Sequence, residues 1–141
     1  MAITCKYRVD NGDSPIPIVS VEISERKRRL PEIRFDALLD TGSDTSGIPR
    51  DIVERHPNLF YRSFLRVESF DGRKQEVDSV TITQASVRLF CPTGNDESDR
   101  VMNIAMFELL VLPEGIIGRD VLKAFVVEFD GRNPNPSFEI R

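Results

Sequence analysis

The stretch from Phe35 to Pro49, Phe-Asp-Ala-Leu-Leu-Asp-Thr-Gly-Ser-Asp-Thr-Ser-Gly-Ile-Pro, constrains the fold more than any other part of the chain. An apolar strand runs into the carboxylate of Asp40 and at once into a polar turn. Leu38 and Leu39 read as the end of a buried strand. Thr41, Gly42 and Ser43 can reverse the backbone within a few residues, because glycine has no Cβ to penalise positive φ. An acid placed there is presented from a rigid base. The same residue types also build ordinary strand-ending turns, so this stretch alone assigns no chemistry.

The second informative stretch is Phe107 to Phe125, which reads as strand, turn, short strand and short helix around Ile116-Ile117-Gly118-Arg119-Asp120-Val121-Leu122. Asp-Thr-Gly-Ser after two apolar residues, followed far downstream by Ile-Ile-Gly-Arg-Asp, resembles the retropepsin-like aspartic proteases, the single-domain retroviral-type family. The resemblance follows the order of elements from about Val19 onward, and these two motifs are its specific part. It implies a mainly β fold: a closed acid-protease β-barrel with a flap hairpin and one short helix near the C-terminus, formed by residues 1–141 as a single domain.

The resemblance also implies site residues. Asp40 is the catalytic carboxylate, Thr41 bonds across to the loop of a second copy, and Gly42 faces the substrate backbone. Ser43 stands where some retroviral members carry alanine. Asp44 is the acid expected to hold Arg119 in a partly buried, bidentate pair that braces the catalytic loop next to Gly118. Ile116 and Ile117 are expected to back that loop and line the pocket. Ser69, Phe70, Asp71 and Gly72 are expected near the flap tip, over bound peptide. Peptide hydrolysis by carboxylates needs one ionised group to take a proton from water and one neutral group to give a proton to the carbonyl oxygen. The chain has a single Asp-Thr-Gly, so a homodimer pairing Asp40 with its mate is implied, and the family sets the terminal strands of both copies in one interface sheet.

Length and charge set the outer limits. With 141 residues the chain fits one domain, which excludes the two nucleotide-clasping lobes of actin-like and sugar-kinase ATPases that share an Asp-x-Gly-[Ser/Thr] loop. A non-catalytic dimerisation or peptide-binding module on the same fold is the remaining alternative. The balance of 19 basic and 23 acidic residues gives a net charge of −4, with no general attraction to nucleic acid or anionic lipid. No run approaches the roughly 20 apolar residues that span a bilayer, and the N-terminus lacks a basic-then-apolar leader, so an unsecreted, cytoplasmic protein is expected. Cys5 and Cys91 lack metal-site spacing and read as two independent thiols in a reducing compartment. His56, the sole histidine, reads as a solvated residue. No metal or other cofactor is expected.

Along the chain, strands are expected over Ile3–Val9, Ile16–Ile23, Ile33–Leu39, Leu59–Phe70, Glu76–Thr83, Gln84–Phe90 and Val101–Leu112. Arg50–His56 suits one or two helical turns ended by Pro57, while Asp120–Phe125 is the one firm helix. Asp71-Gly72 suggests a two-residue type I′ hairpin turn. Glu25–Arg29 reads as a charged hairpin tip, and Pro92–Arg100 as a polar connection that lacks the glycine and distal glutamate of a calcium loop. Val126–Phe129 and Ser137–Arg141 are expected to close the chain as a hairpin around Asp130-Gly131.

Overall fold

A computed structural model describes residues 2–9, 14–25, 32–57, 60–69, 71–92, 100–132 and 136–141. The expected tip at 26–29, most of the 92–100 connection, Phe70 and the Asn-Pro run at 133–135 lie outside the described residues. Alternation of apolar and polar residues sets the strands. In β3 (Ile33–Leu39), Ile33, Phe35, Ala37 and Leu39 are buried while Arg34 and Asp36 are exposed, so one face of the strand enters the core.

The described elements are β1 (Ile3–Lys6), β2 (Ile18–Glu25), β3, β4 (Gly47–Pro49), α1 (Arg50–Arg55), β5 (Tyr61–Glu68), β6 (Lys74–Phe90), β7 (Met102–Leu112), β8 (Gly115–Ile117), α2 (Arg119–Leu122), β9 (Val127–Asp130) and β10 (Ser137–Ile140). The main sheet runs β2-β3-β8-β4-β7-β6-β5, and β6 also pairs with β2. That last pairing closes six strands into a barrel and leaves β5 attached to β6 alone. The barrel holds the core of Val19, Val21, Ile48, Ile82, Leu89, Phe107, Leu109 and Ile117. A second sheet, β1-β10-β9, is made from the two ends of the chain. Among the described residues, no helix is long and apolar enough to cross a membrane.

Strand β6 explains how the hairpin leaves the barrel. Its residues 74–81 pair with β5, and its residues 85–90 pair with β2 along the same edge. Buried residues have even numbers at Val80 and Ile82 and odd numbers at Ala85, Val87 and Leu89. The inward face therefore changes between Ile82 and Ala85. Gln84, with φ of 53°, occupies the left-handed region at that point and turns the strand over. The sequence breaks its alternation at the same residue, which is why two strands are expected where one 17-residue strand forms.

Two expectations need correction. Among the described residues there are two short helices, and the first, α1, is the longer at six residues, while α2 has only four. Beyond Leu122 the backbone tightens into three-residue bonds, Ala124 N–H to Val121 O and Phe125 N–H to Leu122 O, which carry Phe125 into the core without continuing the α-helix. The cysteines are not independent thiols. Cys5 in β1 and Cys91 after β6 form a disulfide with Cα atoms 5.3 Å apart across a sequence separation of 86. Closure of the barrel brings the end of β6 beside β1, a proximity that cysteine spacing does not encode. The support for a reducing compartment goes with the free thiols.

Candidate active site

Asp40 stands at the end of β3, held by the strand that pairs with it. β3 and β8 run parallel, with Leu38 opposite Ile116 and Leu39 opposite Ile117, and the Asp40 N–H donates to Ile117 O at 2.9 Å. The turn then closes on the carboxylate itself. Ser43 N–H donates to Asp40 O at 3.2 Å, and Gly42 N–H donates to Asp40 Oδ1 at 2.9 Å. One carboxylate oxygen is thus oriented by the backbone while the side chain stays half-buried. Thr41 and Gly42 are exposed beside it.

The loop rests on the downstream motif through close backbone contact. Arg119 N–H donates to Ser43 O at 2.8 Å. A Cβ on Gly118 would meet the same Ser43 oxygen at 2.6 Å, too close for any side chain, so glycine is required where the two motifs touch. Ile117 is fully buried and Ile116 half-buried, and neither is among the residues that line the cleft described below.

Arg119 and Asp44 do meet, Nη2 on Oδ1, but as a single contact between side chains that are 59% and 83% exposed. The expected buried fork is not formed within one chain. The buried brace is a different pair, which sequence reasoning missed. Ser46, with no exposure, donates its N–H to Asp120 Oδ2 at 3.0 Å and its hydroxyl to Asp120 Oδ1 at 2.6 Å, and its Oγ accepts the Gly118 N–H at 3.0 Å. A polar serine between Thr45 and Gly47 just before the apolar Ile48, with an aspartate after Gly-Arg, was the available signal. Ser46→Ala is expected to cost about 2–3 kcal/mol, because it strands a buried N–H and removes a hydrogen bond to a charged group. Arg119→Ala is expected to cost less than about 1 kcal/mol in the isolated chain, as exposed ion pairs do. Urea unfolding of the two variants checks this order.

The hairpin of β5 and β6 forms the opposite wall. Val67, Glu68 and Ser69 from its arm face Gly42, Ser43, Asp44 and Thr45 from the loop, with Leu110 and Arg119 between, around a cleft of about 630 Å³. The tip differs from the expected two-residue turn. Ser69 N–H bonds Arg73 O and Gly72 N–H bonds Ser69 O, both at 2.9 Å, and of the described turn residues only Gly72, at φ 80°, has positive φ. This is the three-residue hairpin connection with glycine at the left-handed position, in which Asp71 has another task. Its carboxylate accepts the Ser69 hydroxyl and the Arg73 N–H, and these bonds, the serine's first, hold it below the usual carboxylate range. A depressed carboxylate contributes its stabilisation above the ordinary range and loses it only as pH falls through the lowered value. The tip thus stays tied at mildly acidic pH. Of the expected flap residues, Ser69 reaches the cleft, Asp71 and Gly72 lie in the turn beyond it, and Phe70 is outside the described residues.

Comparisons with known proteins bear on this arrangement. The structure is similar to that of EIAV protease complexed with the inhibitor HBY-793, with a TM-score of 0.46 and 21% identity over 82% of this chain and 92% of that chain. Among curated proteins no match was found. The family model of the retroviral aspartyl protease matches residues 13–129. That span contains the Asp40 loop, the hairpin facing it and the Gly118-Arg119 support, so the parts that meet at the cleft are covered by one family description, and the chain belongs to the retroviral aspartyl protease family.

Proposed function

We propose that the protein is an aspartic endopeptidase whose active form is a homodimer, with a water activated between the Asp40 carboxylates of the two copies. The observation that carries this reading is the setting of Asp40: a half-buried carboxylate at a rigid strand end, one oxygen fixed by the Gly42 N–H, beside a cleft walled by a projecting hairpin. Two such groups about 3 Å apart resist joint ionisation and share a proton, which supplies the base and the acid together. The ionised partner takes a proton from water as the oxygen attacks the peptide carbonyl. The protonated partner gives its proton to the carbonyl oxygen, and collapse of the tetrahedral intermediate releases the amine after protonation.

In this reading Thr41, exposed next to Asp40, bonds across the twofold axis, and Gly42 leaves room for substrate backbone. Ser43, Asp44 and Ser69 contact the peptide in the cleft, while Phe70, Asp71 and Gly72 form the tip that closes over it. Ile116 and Ile117 support the loop with Gly118 and Arg119. Incubation with a peptide library at several acidic pH values tests the reading. Cleavage that a pepstatin-type inhibitor blocks and a chelator leaves intact is the expected result. Loss of cleavage with chelator and indifference to the inhibitor would defeat it.

A further inference from the structure

The cleft continues along the hairpin into a second pocket of about 310 Å³. Side chains at alternate positions of a strand share a face, and two strands carry one face from the cleft into this pocket. On β7, Leu110 lines the cleft, while Glu108 and Met106 line the pocket. On β5, Val67 lines both and Leu65 the pocket alone. Thr45, from the loop that follows Asp40, is also common to the two. With Ile104, these residues make a mainly apolar wall that holds one exposed carboxylate, that of Glu108.

The other acids around this trough are already matched. Asp44 meets Arg119. Glu68 stands opposite Lys74 across the hairpin, and Asp78 lies 3.5 Å from Arg50 and 3.8 Å from Arg62. Arg66 borders the pocket, but it alternates with Leu65 and Val67 on β5 and meets Glu76, its cross-strand neighbour, at 4.0 Å. Asp120 also borders the pocket, and its two oxygens accept the Ser46 and Val121 bonds. Glu108 differs from all of these. The residue opposite it is Thr81, and no hydrogen bond or ion pair reaches its carboxylate among the described residues.

We propose that this pocket takes a lysine or arginine side chain of the bound peptide, with the stem on Leu65, Val67 and Met106 and the cationic head on Glu108. A free acid beside an apolar wall complements a side chain that is aliphatic along its length and charged at its end. The substrates are then peptides with a basic residue at one fixed distance from the cleaved bond, and Glu108 is the residue that reads it. The inference deepens the peptidase reading and rests on it for the occupant of the cleft.

Peptides that differ only by lysine against methionine at one position test this, because methionine keeps a long apolar stem and lacks the charge. When the substitution is scanned along the peptide, one position should favour lysine about tenfold. The preference is read twice, as kcat/KM for cleavage by the wild type and as Kd for binding to Asp40→Asn, which needs no catalysis. Ratios taken within each protein cancel any change in its general activity. Glu108→Gln should remove the preference, and Glu108→Lys should turn it toward glutamate at the same position. A lysine preference that survives Glu108→Gln overturns the proposal, and so does the absence of any lysine preference or of any peptide binding. Lysine-selective binding that depends on Glu108, in a protein that cleaves nothing, supports the pocket and counts against the peptidase reading.

Discussion

Under the proposed mechanism, Asp40→Asn is expected to abolish peptide cleavage, by about 10⁴-fold or more, while leaving the fold and the proposed dimer in place. The amide keeps the size of the side chain and can still accept the Gly42 N–H that orients Asp40 Oδ1 at 2.9 Å. It can neither take a proton from water nor share one with a neighbour. In the proposed dimer each chain supplies one carboxylate, so the defect should also be transmitted. Mixing wild type with a ninefold excess of the variant, after subunit exchange, leaves about one-tenth of the activity per wild-type chain, as random pairing requires. Steady-state cleavage rates on one peptide, measured across mixing ratios, check this. Activity that falls only in proportion to the wild-type protein present would place a complete site in each chain.

Removing the disulfide has the largest expected effect on stability. The Cys5→Ser, Cys91→Ser double variant should lose about 2–4 kcal/mol, since the link closes a loop with a sequence separation of 86 and its loss frees the unfolded chain. Urea unfolding with and without reductant measures it. Reductant should bring the wild-type midpoint to that of the double variant and leave the variant itself unmoved. The link also fixes β1 against the barrel, so amide exchange in Ile3–Lys6 should speed up more than in β3. Equal midpoints for oxidised and reduced wild type would show that the barrel holds β1 without help from the bond.

The strands and the two motifs were legible in the sequence because their signals are local. Alternation in Ile33–Leu39, the turn chemistry of Thr41 and Gly42, and the apolar run ending at Gly118 each depend on neighbours within a few residues. Even the turnover of β6 showed as a break in alternation at Gln84. What tertiary structure decided lies across long separations. Ser46 meets Asp120 74 residues away, and this pair, rather than the exposed Arg119–Asp44 contact, is the buried tie between the two motifs. Burial cannot be read from residue type, because the same aspartate is cheap in water and structural once a buried serine hydroxyl and backbone N–H groups bond it. Cys5 and Cys91 pair because barrel closure brings β1 beside the end of β6, and β10 becomes a central strand because β9 folds back along one side of it and the N-terminal β1 pairs along the other. The sequence by itself determined where the carboxylate stands and which local turns present it. Only the three-dimensional closure decided what braces that loop and how the two ends of the chain come to share one sheet, since strand neighbours are chosen by the competition of whole faces for one core.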